Sequence, residues 1–131
     1  MVIATVAHET QREPQATHRL HISEAAFRSL VLAIYHVSVR ERDICSPRRL
    51  LTVVLNAPEN PIFQLEGTLL SRLCDSNIVA GRLQISVRID SAVNDQLRLF
   101  REHAERRLSR PVSVAEAVYA CSYVANLERL T

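Results

Sequence analysis

Two stretches of this chain carry the same run of hydrophobic and polar positions. Along residues 84–89 the side chains alternate, with Ile85, Val87 and Ile89 on one side and Gln84, Ser86 and Arg88 on the other. A period of two predicts a strand with one buried face. Asp90 then marks a helix start. Val93, Leu97, Phe100, Ala104 and Leu108 recur every three or four residues, the apolar stripe of an amphipathic helix. Ser109, Arg110 and Pro111 interrupt it. Ser113 with Glu116 forms a capping box that opens a second helix, with Ala117, Val118, Cys121, Val124 and Ala125 facing inward.

The same order occurs earlier. Thr17, Arg19 and His21 alternate with His18, Leu20 and Ile22, and Leu20 and Ile22 are expected to point inward. Ser23 caps a predicted helix over about 23–41 with Phe27, Leu30, Val31 and Ile34 at its core; Leu32, Ala33 and Val37 lie off that stripe and suggest burial on more than one side. Ser46 and Pro47 start the next helix, a favoured order because the first helical N–H has no partner to lose. Leu50, Leu51, Val54 and Leu55 complete its core, and Asn56, Ala57 and Pro58 stop it. Residues 17–56 align on 84–123 without a gap: Ile22 falls on Ile89, Leu30 on Leu97, His36 on His103 and Ser46 on Ser113. A lone strand forms no sheet, and two short helices bury too little apolar surface to stand alone. Each copy is therefore expected to complete the other.

An alternating strand, an amphipathic helix, a short turn and a Ser-capped second helix resemble the ribbon-helix-helix DNA-binding family. The second copy is the closer match: its Gln84-x-Ser86-x-Arg88 strand is similar to the Gln-x-Asn-x-Arg strand of Arc-like repressors. Two copies in one chain resemble the single-chain ribbon-helix-helix virulence proteins of tumour-inducing plasmids, which act in DNA transfer. The resemblance implies a mainly α fold, a duplicated ribbon-helix-helix forming an intramolecular pseudo-dimer around a two-stranded antiparallel ribbon. Residues 17–57 and 83–131 would be its halves, 58–82 the connector and 1–16 a flexible arm. In such a fold the outer face of the ribbon enters the major groove of duplex DNA. Thr17, Arg19, His21, Gln84, Ser86 and Arg88 would then contact bases: Arg pairs with guanine, Gln with adenine, and Ser or Thr with either. The N-termini of the second helices would bind phosphate through free N–H groups and the helix dipole, with Ser46, Arg48 and Arg49 in the first copy and Ser113 and Val114 in the second. Glu116 brings a carboxylate to the latter turn, so the first copy should hold the backbone harder.

Composition adds less. The chain has 131 residues and is 47% apolar, suited to one compact domain. A net charge of +2 says little about nucleic acid, and every basic residue is arginine. No apolar run approaches the roughly 18 residues of a membrane span, and the N-terminus lacks the basic start of a signal peptide. A cytoplasmic protein with no membrane partner is expected. Cys45, Cys74 and Cys121 have no metal spacing and read as buried reduced thiols. His36 and His103 read as helix histidines rather than a metal pair. No P-loop, nucleophile elbow, paired-carboxylate or zinc motif is present, so neither an enzyme nor a cofactor is expected. In the connector, Phe63, Leu65, Leu69, Leu70, Leu73 and Ile78 predict a short helix near 65–75, and Gly81 the turn into the second strand. With only a short stretch after residue 126, an appended effector domain is not expected.

The expected partner is duplex DNA, bound by a monomer acting in transcription regulation or plasmid transfer, with another protein of such a complex as a further partner. The alternative is a protein-interaction module or antitoxin-like protein with a degenerate ribbon-helix-helix fold. Near-neutral charge favours the alternative. Arg19 and Arg88, both outward, favour DNA.

Overall fold

The computed structural model describes residues 15–128. Strand β1 (Gln15–Ile22) leads into helices α1 (Glu24–Glu41) and α2 (Pro47–Leu55). A 3₁₀ turn (Pro61–Gln64) and two short helices, α3 (Gly67–Leu73) and α4 (Ser76–Val79), follow. Strand β2 (Leu83–Asp90) then leads into α5 (Ser91–Leu108) and α6 (Val114–Glu128). The fold is mainly helical, and β1 and β2 form one two-stranded antiparallel sheet. β1 begins two residues earlier than expected, at Gln15. The rest of the expected arm, 1–14, and the end of the second copy, 129–131, lie outside the described residues.

The inner face of the sheet is the one the alternation predicts: Leu20, Ile22, Val87 and Ile89 are buried. Each strand runs into a helix through a capping residue. The Ser23 hydroxyl accepts from the Ala26 N–H at 3.1 Å, satisfying one of the unpaired donors of the first turn. Asp90 stands in the corresponding place, but its carboxylate accepts from Arg48 at 2.7 Å instead. α1 ends at Arg42 and α5 at Ser109, both in the left-handed conformation (φ 58° and 56°). Ser46 caps α2 through the Arg49 N–H at 3.1 Å. At α6 the capping box is reciprocal: Ser113 Oγ accepts from the Glu116 N–H (3.1 Å), and Glu116 Oε1 accepts from the Ser113 N–H (3.3 Å).

The two strand–helix–helix stretches are in step along their first helices and at the starts of their second, while the strands are offset by 68 and α2 ends earlier than α6. Glu24 and Ser91 open the first helices, Glu41 and Leu108 close them, and Pro47 and Val114 open the second helices, each pair 67 apart in number. The buried faces correspond in the same way. Ala26, Leu30, Ala33 and Val37 of α1 match Val93, Leu97, Phe100 and Ala104 of α5. Helices α2 and α6 bury the residues expected of them, Leu50, Leu51, Val54 and Leu55 in one and Ala117, Val118, Cys121, Val124 and Ala125 in the other.

The core face of α1 departs from the expectation. Phe27 and Val31, expected inside, are exposed, and Ala26 takes part in the core instead. Nearly the whole circumference of α1 is apolar, so periodicity alone does not choose a face. Packing against α6 chooses it: Ser29 Oγ meets Ser122 Oγ at 2.7 Å, and Asn126 Nδ2 donates to the Ser29 carbonyl at 3.1 Å.

The connector holds α3 within the stretch expected to be helical, with Leu70 and Leu73 buried. The Glu66 carboxylate caps it, accepting from the Thr68 and Leu69 N–H groups at 2.9 and 3.3 Å. Arg107 donates to the Leu65 carbonyl (2.7 Å), and Arg110 to those of Ser71 (2.8 Å) and Cys74 (3.0 Å), so the end of α5 anchors the crossing. The segment then returns to β1. Ser23 N–H donates to the Val79 carbonyl at 2.7 Å, Ser23 Oγ to that of Ile78 at 2.7 Å, and Gly81 N–H to that of His21 at 3.3 Å.

Cys45, Cys74 and Cys121 are free and buried. Burial pushes the Cys74 thiol up to about 11 and that of Cys121 up to about 12, so both remain protonated and unreactive at neutral pH. His103 packs edge-on against Phe63, ring centres 5.2 Å apart. Burial, then the nearby Arg107 and Arg106, hold its pKa below the usual value. The unfolded chain takes up this proton near pH 6.5, whereas the folded chain resists it. This contribution is therefore fully present above about pH 6.5 and is lost as pH falls below it. Urea midpoints at successive pH values are expected to show that decline, and His103→Gln is expected to flatten it.

Candidate nucleic-acid interface

The antiparallel register sets Thr17 opposite Arg88, Arg19 opposite Ser86 and His21 opposite Gln84. All six are exposed, and their alternation with the buried Leu20, Ile22, Val87 and Ile89 puts them on one face. Directly opposed side chains on one face of an antiparallel pair lie about 5 Å apart at Cβ. The face therefore offers an Arg–Thr pair toward one end, Arg–Ser at its middle and His–Gln toward the other end. Among the described residues, none of these six side chains forms a hydrogen bond or ion pair. Their donors and acceptors point to solvent, available to a ligand the width of two strands.

The same register adds Gln15 opposite Asp90 to this face, and Arg82 stands just outside it. Gln15 is exposed and in step with Thr17, Arg19 and His21. Arg82 is exposed at the bend just before β2 and adds a cation near the His21–Gln84 end. Extending the period-two count one step back from Gln84 would have found it. His18 turns the other way, its Nε2 lying 2.7 Å from Asn94 Oδ1 at the start of α5.

The start of α2 lies beside the ribbon end formed by Gln15 and Asp90, because Arg48 Nη2 reaches Asp90 Oδ1 at 2.7 Å. Its arginines are already engaged. Arg49 makes a two-point contact with the Glu41 carboxylate (3.1 and 3.0 Å), and that hydrogen bond is the main reason the Glu41 carboxyl sits below its usual range. Pro47 has no N–H and the Arg49 N–H is held by Ser46, so the first turn offers a ligand at most the Arg48 N–H. Both arginine side chains remain about half exposed, 47% and 54%. Solvent screens such exposed pairs, so they hold weakly and a phosphate can displace them.

The start of α6 is differently surrounded. Ser113 is exposed and Val114 half-buried, but the Ser113 N–H is taken by the buried Glu116 carboxylate. Ser71, Cys74, Asp75 and Ser76 of the connector line a shallow pocket of about 280 Å³ there with Arg110, Pro111 and Glu116. A carboxylate thus stands where an anion would bind. The two helix starts share capping chemistry and differ in charge.

Among the described residues no group of three or more His, Cys, Asp or Glu side chains could hold a metal ion, and no helix is long and apolar enough to cross a membrane. No family model, curated protein or solved structure matches this chain.

Proposed function

We propose that this chain is a tandem ribbon-helix-helix protein that binds duplex DNA through its two-stranded ribbon, as a regulator of transcription or an accessory factor in plasmid transfer. The six unengaged polar side chains on one exposed ribbon face carry this reading. An offset of 67 supports the duplication, since both bounds and the buried face of the first helix and the start of the second obey it, although α2 stops at Leu55 while α6 runs on to Glu128. In this reading Arg19 and Arg88 pair with guanines, Gln84 with adenine, and Thr17, Ser86 and His21 fill the remaining positions. Arg48 and Arg49 take the phosphate backbone at the α2 side by exchanging their carboxylate partners. Ser113 and Val114 contribute weakly because of Glu116.

The two strands differ, so the preferred site is asymmetric. Binding to a random duplex library at two salt concentrations tests this. With roughly four to six phosphates neutralised, log K is expected to fall with log salt at a slope of about −4 to −5. Arg88→Ala is expected to cost about 1–3 kcal/mol and relax one position in one half-site, and Arg19→Ala to act on a different position. Replacing Arg48 and Arg49 by alanine should flatten the salt slope and weaken all sequences alike. No binding, or a slope near zero, would favour the second reading, a protein-interaction module or antitoxin-like protein. The ion-paired state of Arg48 and Arg49 and the apolar outer face of α1 speak for that reading.

A further inference from the structure

Helix α1 carries a second apolar stripe, on the side opposite its core. Phe27 is 36% exposed, Val31 48%, Leu32 46%, Tyr35 59% and Val39 60%. Phe27, Arg28, Val31, Leu32 and Tyr35 together line a shallow apolar depression. The fold does not demand this. At the matching positions α5 carries Asn94, Arg98, Leu99, Glu102 and Arg106, and Arg98 there is ion-paired with Asp95 at 3.2 Å. Two helices in equivalent places thus have opposite outer surfaces, one solvated and one hydrophobic. Contiguous exposed apolar surface on one side only marks a contact with another macromolecule.

We infer that this face associates with the same face of a second copy of the chain, α1 against α1 in antiparallel orientation. Self-complementarity carries the choice of occupant. A twofold axis level with Ala33 places Phe27 beside the second copy's Val39 and Val31 beside its Tyr35. The same axis sets Glu24, exposed at the start of the helix and holding Arg28 of its own helix at 2.8 Å, beside Arg42, exposed at its end, so that Glu24 is shared between the two arginines. The pairing therefore matches apolar with apolar at the centre and acid with base at both rims, as a closed isologous contact requires. Parallel association would set Glu24 on Glu24 and Arg42 on Arg42. An 18-residue helix is about 27 Å long, so one helix pair falls short of the roughly 800 Å² per partner of a standard interface. The association is accordingly weak, in the micromolar range or above. It adds to the expected single-chain pairing of the two copies and does not depend on whether the ribbon reads DNA.

Sedimentation velocity of the full chain from micromolar to millimolar concentration is the test. A reversible monomer–dimer equilibrium is expected. Val31→Glu, at the centre of the stripe, is expected to abolish it while leaving the unfolding midpoint of the dilute protein unchanged, because Val31 is half exposed in the monomer. Glu24→Arg should weaken association several-fold at low salt, and adding Arg42→Glu should restore it. A chain that stays monomeric throughout overturns the inference, as does a dimer indifferent to Val31→Glu. Methyl contacts from Val31 and Val39 to residues 1–14 at every concentration would also overturn it, and would give the face to an intramolecular occupant.

Discussion

Gly81→Ala is expected to lower the stability of the folded chain by about 3 kcal/mol, toward the upper end of overpacking costs. A β-carbon at Gly81 would lie 2.4 Å from Ser23 Cα and 2.6 Å from both the Ile22 carbonyl oxygen and the Ser23 nitrogen. All three are backbone atoms in the link between β1 and α1, where no side-chain rotation can make room. Moving either strand away breaks contacts that close this corner: Ser23 N–H to Val79 O (2.7 Å), Gly81 N–H to His21 O (3.3 Å) and the bridge between Ile22 and Ala80. For a chain of this size the thermal midpoint should fall by about 10 °C. Gly67→Ala serves as the internal control. The nearest atom to its added carbon is the tip of the Arg107 side chain at 3.4 Å, and Gly67 opens α3, so the change is expected to be neutral or stabilising by about 0.5 kcal/mol. If Gly81→Ala proved as mild as Gly67→Ala, the close packing of connector on strand would be wrong.

Separating the two strand–helix–helix halves is expected to remove the fold altogether. Made alone, residues 15–57 leave Leu20 and Ile22 without the strand that carries Val87 and Ile89, and leave the buried side of α1 without α6. A single unpaired strand has no ladder, and a two-helix remnant buries too little to offset its ordering entropy. Each piece, at concentrations where it stays monomeric, should show little helical circular dichroism and no cooperative urea transition. Mixing residues 15–57 with residues 58–131 should restore both signals. Cooperative unfolding of a monomeric half would show that the copies are independent, and would remove the basis for reading the pair as one ribbon.

Much of this architecture is legible from residue order. The second copy is the clearer because its helix is properly amphipathic: charged residues such as Arg98, Glu102 and Arg106 leave only one face, that of Val93, Leu97, Phe100 and Ala104, to be buried. The first copy misleads for the opposite reason. With Phe27, Val31, Leu32, Tyr35 and Val39 all apolar, α1 fits several core faces equally well, and the expected one was wrong at Phe27 and Val31. The correction was present in the chain itself. Subtracting 67 from the buried positions of α5 gives Ala26, Leu30, Ala33 and Val37, the face that is buried. The polar helix α5 states what the apolar helix α1 leaves open.

The outer face of the ribbon divides along a similar line. Alternation assigned the outward side chains of each strand, because a pleated chain must point successive residues to opposite sides. Alternation within one strand says nothing of which residue stands opposite which. The pairings of Arg19 with Ser86 and His21 with Gln84 depend on contacts far apart in sequence. The ion pairs at α2 were likewise hidden: Arg48 and Arg49 read as free cations, whereas folding brings Asp90 and Glu41 to them from 42 and 8 residues away. By itself the sequence determined the local order of strand, cap, helix, cap and helix, since periodicity and capping are settled within a few residues. Only the tertiary structure decided the strand register, the side of α1 left in water and the neutralisation of the α2 arginines. Those outcomes rest on which distant surfaces meet, and local pattern does not fix that.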